Sequence, residues 1–446
     1  MRESFGSWLD REYRYATTAM LRSVSPVDIV KTRPGFGQTV RPVKGAIVAT
    51  PVLGAYDPDP DYFFHWYRDS AVVIDALRLL FAEGSVGPDA LTHFGDFVQF
   101  SLSLQKLDGR TLAESPSWRA NVAADFVRFL RDDAELSRVR DEAVAAETRV
   151  NPNGTIDISK WARPQHDGPP LRALALLRWA QSESLAPSMD SEASTLIRAD
   201  LGFTFRHWRE PSFDIWEEEQ GQHYYTLRVS AAALDAGASW LQARGDHQQA
   251  QAYRAEGEAI LRILDGFWLA DEEYYRSRIL TSGRSTKELD IAVILAAIHA
   301  GAHNPERNDA HSVHDPRVQA TLTRLEALFD AAYPINKNRS AQSGPAMGRY
   351  AGDVYYSGGA YYFSTLGAAE FCFRAAVGAK DARTWIERGD AYLATVRTFT
   401  PQSGELSEQF DQRTGAQTSA KHLAWSYAAF ISCVTARRGV VGKSGQ

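Results

Sequence analysis

Three consecutive carboxylates behind a tryptophan form the segment with the clearest capacity for acid–base chemistry. The segment reads DIWEEEQG, from Asp214 to Gly221, and it precedes a helix predicted to begin near His223. Acidic residues before a first helical turn are commonly partners of the helix dipole. Repulsion and desolvation among crowded carboxylates beside an indole also favour a protonated carboxyl group, which a general acid working near neutral pH requires. Residue types alone leave both interpretations open.

A second acidic segment lies far along the chain and would supply the partner of such an acid. The stretch GELSEQFDQRTGAQTSAKHLAW places Glu405, Glu408 and Asp411 in a polar loop bounded by glycines, before an apolar helix. A solvated turn is the ordinary interpretation of this pattern. Glycoside hydrolysis, however, needs two carboxyl groups on opposite sides of the scissile bond, one protonated and one ionised, whatever their separation in the sequence.

A third segment, PDYFFHWYRDSAVVIDAL, combines five aromatic rings with an arginine and an aspartate. The rings lie between Tyr62 and Tyr67, Arg68 and Asp69 follow, and Asp69 with Ser70 suggests the N-cap region of a helix. Aromatic rings fill protein cores, and their amphipathic forms also suit the apolar faces of sugars. The sequence predicts either a core segment or a sugar cradle here.

The elements that must position these residues are mainly helices. Apolar residues recur with a 3.6-residue period in about twelve segments. These segments are 4–22, 69–83, 89–107, 170–184, 192–208, 222–246, 247–268, 288–301, 315–333, 358–378, 381–399 and 420–438. Small apolar residues recur in alternate segments, which would fit a double-layered helical toroid with the more apolar helices inside. The period itself predicts helices and not the closure of a ring.

Two other segments carry predictions of their own. Strand signals are scarce, and the apolar run GAIVATPV at 45–52 is the clearest of them. The segment 116–145 predicts an added helix within a long loop.

The composition excludes several classes of function. The chain of 446 residues carries 55 acidic and 49 basic residues, for a formal net charge of -6. This balance argues against a nucleic-acid partner or a polybasic membrane patch and suits a neutral substrate. No apolar run approaches the ~18 residues that would span a bilayer, and the start of the chain lacks the pattern of a secretory signal, so a cytoplasmic protein is expected. Cys372 and Cys433 lie in apolar helical stretches and are predicted to be buried free thiols.

Two histidine pairs have the spacing of metal ligands, His299 with His303 and His311 with His314. Neither pair has an HExxH pattern or a cysteine partner, so surface histidines are the prediction. We expect no metal site and no cofactor.

Together and in order, the three segments with chemistry resemble the glucoamylases and glucodextranases of glycoside hydrolase family 15. The resemblance runs from about Gly45 to Cys433 and includes KWARPQHDGPPLRALAL, DIWEEEQGQHYYTLRVSAA, RSTKELDIAVILAAIHAG, MGRYAGDVYYSGGAYYFSTLGAAE and SEQFDQRTGAQTSAKHLAWSYAA. It implies an all-α fold, the (α/α)6 barrel, formed by one catalytic domain over residues 1–446. No separate N-terminal β-sandwich or starch-binding module is expected.

The resemblance also implies roles for the carboxylates. Glu217, the first carboxylate of the WEE motif, would protonate the glycosidic oxygen as the general acid, and Glu218 would help to bind sugar beyond the scissile bond. Glu408, in SEQFD, would activate the attacking water as the general base. Tyr62 and Ser419 correspond to hydroxyls that hold this base and its water.

Further residues would form the walls of the sugar pocket. Arg68 and Asp69 correspond to residues that grip the terminal glucose at the non-reducing end, and Trp66 lies beside them. Trp161 would pack near the acid, and Trp425 would form another wall.

Two arginines complete the set that the resemblance implies. Arg163 occupies the position of the arginine in the family's RPQ motif, and Arg284 of GRSTKE resembles a substrate-binding arginine. A guanidinium group suits sugar hydroxyls because its fork of donors is rigid and always charged. The chain departs from the family's patterns at SGGAYYF (357–363) and at Glu288. Residues 116–140 look like an insertion relative to the fungal enzymes of the family. These departures leave the catalytic pair intact and bear on linkage and chain-length preference.

The expected activity is that of an exo-acting, inverting glucan 1,4-α-glucosidase. Such an enzyme would release β-D-glucose from the non-reducing ends of α-glucosides, and the expected partner is a short, soluble saccharide. An α-1,6-specific glucodextranase, an isomaltose-cleaving enzyme or a trehalase could use the same pocket. A non-catalytic saccharide-binding protein and a phosphorylase are alternatives from other classes, which the presence of both Glu217 and Glu408 disfavours. The sequence does not fix the oligomeric state.

Overall fold

Helices carry the fold of the part of the chain that the computed structural model describes, residues 3–55, 59–181, 185–301 and 310–442. Within these ranges, twelve helices have eight or more residues, and each coincides with one of the segments predicted from the apolar period. In chain order they are α1 (Phe5–Leu21), α2 (Tyr67–Ala82), α3 (Asp89–Leu104), α4 (Gly168–Trp179), α5 (Pro187–His207), α6 (Tyr224–Ala243), α7 (His247–Asp265), α8 (Ala292–His299), α9 (Pro316–Ala332), α10 (Tyr362–Ala375), α11 (Ala382–Phe399) and α12 (Ala424–Val441).

The six even-numbered helices form a closed inner ring. Each packs against the next, from α2 through α4, α6, α8 and α10 to α12, and α12 returns to pack against α2. The odd-numbered helices lie outside this ring, with α1 on α12, α7 on α6 and α11 on α10. The architecture is therefore the (α/α)6 barrel that the resemblance implied.

Burial separates the two layers. In the inner helix α10, 13 of 14 residues are buried. In the outer helix α7, only five of 19 are buried, in one stripe from Ala250 to Leu264 with spacings of three and four residues. An outer helix covers the ring with a single apolar face, whereas an inner helix is enclosed on all sides. One core cluster extends from Trp8 to Val440, so both ends of the chain contribute to it.

Short strands bring the loops together at one end of the ring. They are β1 (Lys31–Arg33), β2 (Gln38–Val40), β3 (His65–Trp66), β4 (Arg149–Val150), β5 (Ser212–Phe213), β6 (Gln220–His223), β7 (Trp268–Leu269), β8 (Tyr274–Tyr275), β9 (Arg278–Leu280), β10 (Ala360–Tyr361), β11 (Gln409–Phe410) and β12 (Gln417–Thr418). β3, β6 and β10 end directly before α2, α6 and α10. They pair in antiparallel fashion with β4, with β5 and β9, and with β11. This pairing fixes the loops at the N-terminal ends of the inner helices.

The predicted strand at 45–52 is wrong. The segment is a buried loop. It pairs with a neighbouring segment only through one isolated β-bridge, between Ile47 and Val24, among the residues that the structure describes. Its N–H groups bond to unrelated partners: that of Ile47 to the ring of His65 at 3.0 Å, and that of Ala49 to the carbonyl of Phe64 at 3.0 Å. A short apolar run marks burial and does not by itself identify a strand.

The segment 116–145 is not one helix, so that prediction is also wrong. It forms four short helical turns, Pro116–Asn121, Ala124–Phe129, Asp133–Ser137 and Asp141–Ala146. Asp132 starts a separate turn because its side chain accepts the N–H of Glu135 at 2.7 Å, which is the geometry of an N-cap. The loop therefore folds back over itself and reaches the neighbourhood of the pocket described below.

Two predictions about isolated side chains have different outcomes. His311 is fully buried and its ring bonds to the hydroxyl of Tyr224 at 3.0 Å, so it is not a surface histidine. Burial lowers the pKa of His311 to about 4, and His303 lies outside the described residues. Cys372 and Cys433 are buried and free, as predicted.

Among the helices of the described ranges, none combines the length and the apolarity needed to cross a membrane.

Candidate active site

One pocket, about 260 Å³ in volume, contains most of the residues that the sequence singled out. Nine of the twelve predicted site residues line it: Tyr62, Trp66, Arg68, Asp69, Trp161, Glu217, Glu218, Glu408 and Trp425. It lies where α2, α6, α10 and α12 begin. The partial positive charge of helix N-termini at this end of the ring favours ionised carboxylates.

Glu217 occupies a strained turn immediately before β6. Its φ is 65°, a left-handed conformation that costs a non-glycine residue about 1–3 kcal/mol. The buried carboxylate of Asp214 holds the turn by accepting the N–H of Trp216 at 2.7 Å, of Glu218 at 3.3 Å and of Glu219 at 3.0 Å. Three backbone bonds to one side chain define the direction in which Glu217 leaves the backbone.

A buried ionic network centred on Arg278 stabilises the turn that carries Glu217. Arg278, 2% exposed, donates to Asp214 at 3.0 Å and to Asp290 at 2.5 Å. The indole of Trp216 donates to the same Asp290 at 2.8 Å. The sequence left the acidic cluster open as dipole partners or as an acid. Asp214 is the structural member of it, and Glu217 and Glu218 are members that reach the pocket.

Three donors surround the Glu217 carboxylate. Its Oε1 accepts the indole N–H of Trp66 at 2.8 Å and a guanidinium N–H of Arg68 at 3.1 Å. Its Oε2 accepts the indole N–H of Trp161. Trp161 is 39% exposed, whereas Trp66 and Arg68 are buried. The Oε2 side of Glu217 is therefore the side closer to solvent.

Glu408 also lines the pocket and directly precedes β11. It is 8% exposed, and the hydroxyl of Ser419 donates to its Oε2. Burial raises the pKa of Glu408 to about 7, although Ser419 and Arg349 act in the opposite direction. Ser419 itself has a φ of 63°, so this hydroxyl is also held by a left-handed turn.

Tyr62 lines the same pocket, and its hydroxyl is 2.6 Å from that of Tyr355. The structure thus brings the two predicted hydroxyl residues to the pocket, Ser419 in direct contact with Glu408 and Tyr62 paired with a second tyrosine. Tyr355 was not singled out from the sequence.

Arg68 and Asp69 form the charged floor of the pocket in the first turn of α2. Arg68 Nη2 lies 3.3 Å from Asp69 Oδ2, and its Nη1 donates to Asp167 at 3.4 Å. Asp69 Oδ2 is buried and accepts no hydrogen bond from the residues that the structure describes. Burial raises the pKa of Asp69 and raises that of Asp167 to about 6. An unfilled acceptor beside an arginine is suited to a ligand hydroxyl group.

The N-cap prediction for Asp69 and Ser70 requires a small correction. Trp66 occupies the N-cap position of α2, and Asp69 lies within the first turn. The carboxylate is therefore free of capping and available to the pocket.

Arg349 is a pocket residue that the sequence reasoning missed. It lines the pocket, donates to Glu218 at 3.0 Å, and forms a two-pronged pair with Asp353 at 2.7 and 2.6 Å. Glu218 also accepts from Lys287 at 2.7 Å. The signal was present, because Arg349 and Asp353 stand four residues apart in MGRYAGDVYY, one of the blocks that carries the resemblance.

The structure does not bring Arg284 or Arg163 to the pocket. The side chain of Arg284 is 63% exposed and pairs with Glu272 and Glu288. The side chain of Arg163 is only 7% exposed and donates to Glu147 at 2.7 Å and to Asp157 at 3.0 Å. Arg163 therefore supports the loop that carries Trp161 and does not line the pocket.

A ladder of guanidinium groups and rings fixes Trp161. The guanidinium carbon of Arg149 lies 3.6 Å from the centre of the Trp161 ring and 4.1 Å from that of Phe64. Arg33 covers Phe64 at 3.8 Å. Asp157 holds Arg149 through a 2.9 Å bond. Cation–π stacking of this kind holds an exposed indole in place without burying it.

Two carboxylates lining one aromatic-walled pocket, at the N-terminal ends of the inner helices of an (α/α)6 barrel, define a site of the glycosidase class. The chain belongs to the glycosyl hydrolases of family 15, because the sequence profile of that family matches residues 137–387 and 386–435.

Similar proteins agree with this membership. The chain is 26% identical to Glucoamylase 1 of Rhizopus oryzae over 488 residues, which covers 98% of the chain and 72% of that protein. It is 29% identical to Glucoamylase P of Amorphotheca resinae, over 97% of the chain and 70% of that protein. Among solved structures, the family 15 glucoamylase of Hypocrea jecorina matches with a TM-score of 0.80 at 25% identity, over 98% of this chain and 73% of that one.

Proposed function

We propose that the protein is an exo-acting, inverting α-glucosidase of the glucoamylase type, which releases β-D-glucose from the non-reducing ends of short α-glucosides. The observation that carries the proposal is the presence of Glu217 and Glu408 on the wall of a single pocket. Inversion needs one carboxyl group to protonate the leaving oxygen and a second to activate water on the opposite face of the sugar.

Glu217 acts as the acid in this mechanism. It transfers a proton to the glycosidic oxygen, and the bond between this oxygen and the anomeric carbon breaks. The glycosidic oxygen contacts Oε2 of Glu217, because Trp161, the donor to that oxygen, is exposed, whereas Trp66 and Arg68 are buried. When substrate binds, the glycosidic oxygen replaces the indole N–H of Trp161 as the partner of Oε2. Arg68 stays in contact with Oε1 and stabilises the carboxylate that remains after the transfer.

Glu408 acts as the base. Its ionised form removes a proton from a water molecule, which attacks the anomeric carbon from the face opposite the leaving group. Ser419 orients the carboxylate through its bond to Oε2 and leaves the second oxygen for the water. Asp69 and Arg68 bind the hydroxyls of the sugar and fix the ring between the two carboxyl groups.

A stacked aromatic wall supports exo action. The rings of Trp425 and Phe363 are 4.3 Å apart and inclined by 8°, and Trp216 stacks on Phe363 at 6.0 Å. At about 260 Å³ the pocket falls below the usual ~300–1,000 Å³ of small-molecule sites. A pocket of this size suits the terminal unit of a saccharide.

Proton NMR of the sugar formed during the first turnovers tests the proposal. Maltose, isomaltose, nigerose, kojibiose and trehalose form the substrate panel, so that the rival linkages are measured together. We expect β-glucose to appear before mutarotation; initial α-glucose would contradict inversion, and the absence of any glucose would favour a saccharide-binding protein. Phosphate-dependent product formation would favour a phosphorylase.

Substitutions at the two carboxylates provide the matching test. We expect Glu217→Gln and Glu408→Gln each to remove most turnover while the circular dichroism spectrum stays that of the parent and Tm does not fall below it. The control is Glu405→Gln, since Glu405 precedes the same strand but its side chain is 49% exposed. Turnover at the parent rate in either pocket variant would rule out the assigned role.

A further inference from the structure

A second cavity adjoins the catalytic pocket on the side of Trp161. It has a volume of about 440 Å³ and shares Tyr62, Trp161 and Tyr355 with the pocket. Since Trp161 lines the cavity and donates to Oε2 of Glu217, the cavity lies on the side of the acid that the proposed mechanism gives to the leaving group. We call it the aromatic chamber.

Residues 116–140, the segment that looks like an insertion, form the outer wall of the aromatic chamber. Phe126 and Phe129 contribute rings to it, and the Phe126 ring packs edge-on against Phe36 at 5.2 Å. A close approach fixes this contact, because a Cβ atom at Gly35 would lie only 2.4 Å from the Phe126 ring. The N–H of Ala123 also bonds to the carbonyl of Gly35 at 3.0 Å. The wall is therefore a packed structure and not a loose loop.

The charged groups that line the chamber are already paired with one another. Arg33 donates to Asp61 at 2.6 Å, and Arg149 donates to Asp157 at 2.9 Å. Lys160 donates to a backbone carbonyl at 2.9 Å. A sugar in the chamber would therefore have to compete with these existing partners for hydrogen bonds to the charged groups.

Three of the rings that line the chamber are partly exposed. Phe129 is 44% exposed, Trp161 39% and Tyr356 36%, and all three line the chamber. Large apolar groups that share one exposed cavity mark a binding site on a folded protein.

We propose that the aromatic chamber binds an apolar aglycone of ring size, so that α-glucosides of aryl or bulky alkyl alcohols are preferred substrates. The inference rests on the proposed function, since it places the glucosyl unit in the catalytic pocket and the aglycone beyond Glu217. The rings of the inserted segment cover the aglycone, and the glucosyl unit keeps the polar contacts with Arg68 and Asp69.

The test compares benzyl α-D-glucoside with methyl α-D-glucoside and with maltose. Benzyl and methyl alcohols are leaving groups of similar acidity, so their ratio of kcat/KM reports binding in the chamber and not chemistry. We expect the ratio to exceed about 10, the usual effect of an added group that fills an apolar pocket. The double variant Phe126→Ala/Phe129→Ala should lower this ratio about tenfold and leave kcat/KM for the methyl glucoside within about twofold.

Two further variants serve as controls. Phe129→Leu keeps an apolar side chain and should retain most of the preference. Ile263→Ala/Val377→Ala removes two apolar side chains that are 38% and 57% exposed. Ile263 lies in the last turn of α7, Val377 follows the end of α10, and neither lines the chamber, so this variant should not change the ratio.

The outcomes separate this inference from the proposed function. Hydrolysis of maltose with a benzyl-to-methyl ratio near one, or an equal loss of maltose and benzyl turnover in the double variant, overturns the aglycone assignment and leaves the hydrolase intact. If no glucoside is turned over, the proposed function fails, and calorimetry with benzyl and methyl 1-thio-α-D-glucosides decides. Tighter binding of the benzyl compound that the double variant abolishes supports the chamber, and equal binding overturns it.

Discussion

Burial gives Glu408 a pKa of about 7, whereas the role proposed for it as a base requires the ionised form. As pH falls below 7 the carboxyl group takes up a proton and the base is lost. We expect kcat/KM to decline on the acid side with an apparent pKa near 7, because kcat/KM reports the groups of the free enzyme. The measurement is the pH profile of kcat/KM for the best disaccharide. A profile that stays flat from pH 8 to pH 5 would contradict the role of Glu408.

Ser419 influences the pH at which kcat/KM declines on the acid side of the profile, which we call the acid limb. Its hydroxyl donates to the carboxylate and lowers the pKa of Glu408. Ser419→Ala should therefore move the acid limb to higher pH, while a merely structural role would lower the rate equally at every pH. Ser403→Ala, at an exposed serine of the preceding loop, is the matched control and should leave the limb in place.

Substitution can decide whether Arg349 or Arg284 contributes to substrate binding. Arg349 lines the pocket and binds Glu218, whereas the side chain of Arg284 is 63% exposed. Arg349→Ala should lower kcat/KM by about 10- to 100-fold, as expected for the loss of charge-assisted hydrogen bonds. Arg284→Ala should change it by less than about twofold. A larger effect at Arg284 than at Arg349 would restore the expectation drawn from the sequence.

This pair shows why residue types identify a site only partly. Arg284 and Arg349 both stand in blocks that carry the resemblance, and both have a carboxylate four residues later, at Glu288 and Asp353. The sequence offers no means to choose between them. The choice is made by the chain's path, which buries Arg349 beside Glu218 and leaves Arg284 on the surface.

At the scale of elements, a local period was enough to predict all twelve long helices. An apolar stripe with a 3.6-residue period is a property of consecutive residues, so it can be read without knowing the neighbours. The strand predicted at 45–52 failed because its apolar character comes from burial against many elements, as the bonds of Ile47 and Ala49 to separate partners show. The short strands also escaped prediction, since two to four residues carry too little pattern.

The turn that carries Glu217 should depend on Asp214 as a unit. Asp214→Ala removes three acceptor contacts to the backbone and leaves Arg278 with one buried partner fewer. Breaking a buried ion pair costs about 3–5 kcal/mol, which for a chain of this length corresponds to a fall in Tm of about 3–5 °C. We expect kcat also to fall by more than about tenfold, because the acid is misplaced.

Thermal unfolding and initial rates check both parts of this prediction. Glu387→Ala is the control, since its pair with Arg383 has side chains 63% and 91% exposed, and it should move Tm by less than about 1 °C. A variant at Asp214 that keeps full activity would show that the network does not position Glu217.

At the scale of the whole molecule, closure of the ring is the feature that no local pattern contained. It depends on α12 packing against α2, near the two ends of the chain, and on α1 covering α12 from outside. Closure is what turns separate segments into a site, because Trp66 and Arg68 lie at the start of the first inner helix, Glu217 in the turn that precedes the third, and Trp425 at the start of the last. The resemblance to a family supplied this arrangement; the periodicity could not.

Glu408, the proposed base, should lower the stability of the whole molecule at neutral and alkaline pH. The pKa of Glu408 is about 7 in the folded chain, against the ordinary glutamate value of 4.5 that applies once the chain unfolds, so the folded protein binds more protons between these values. Stability from this group is therefore complete below pH 4.5 and is lost as pH rises through 7, by about 3 kcal/mol in all. Glu408→Gln keeps the shape and removes the charge, so its Tm should exceed that of the parent by about 3 °C at pH 8 and match it at pH 4. Calorimetric scans at the two pH values measure the difference, and a variant that is less stable than the parent at pH 8 would show that the ionised carboxylate is not the source of the cost.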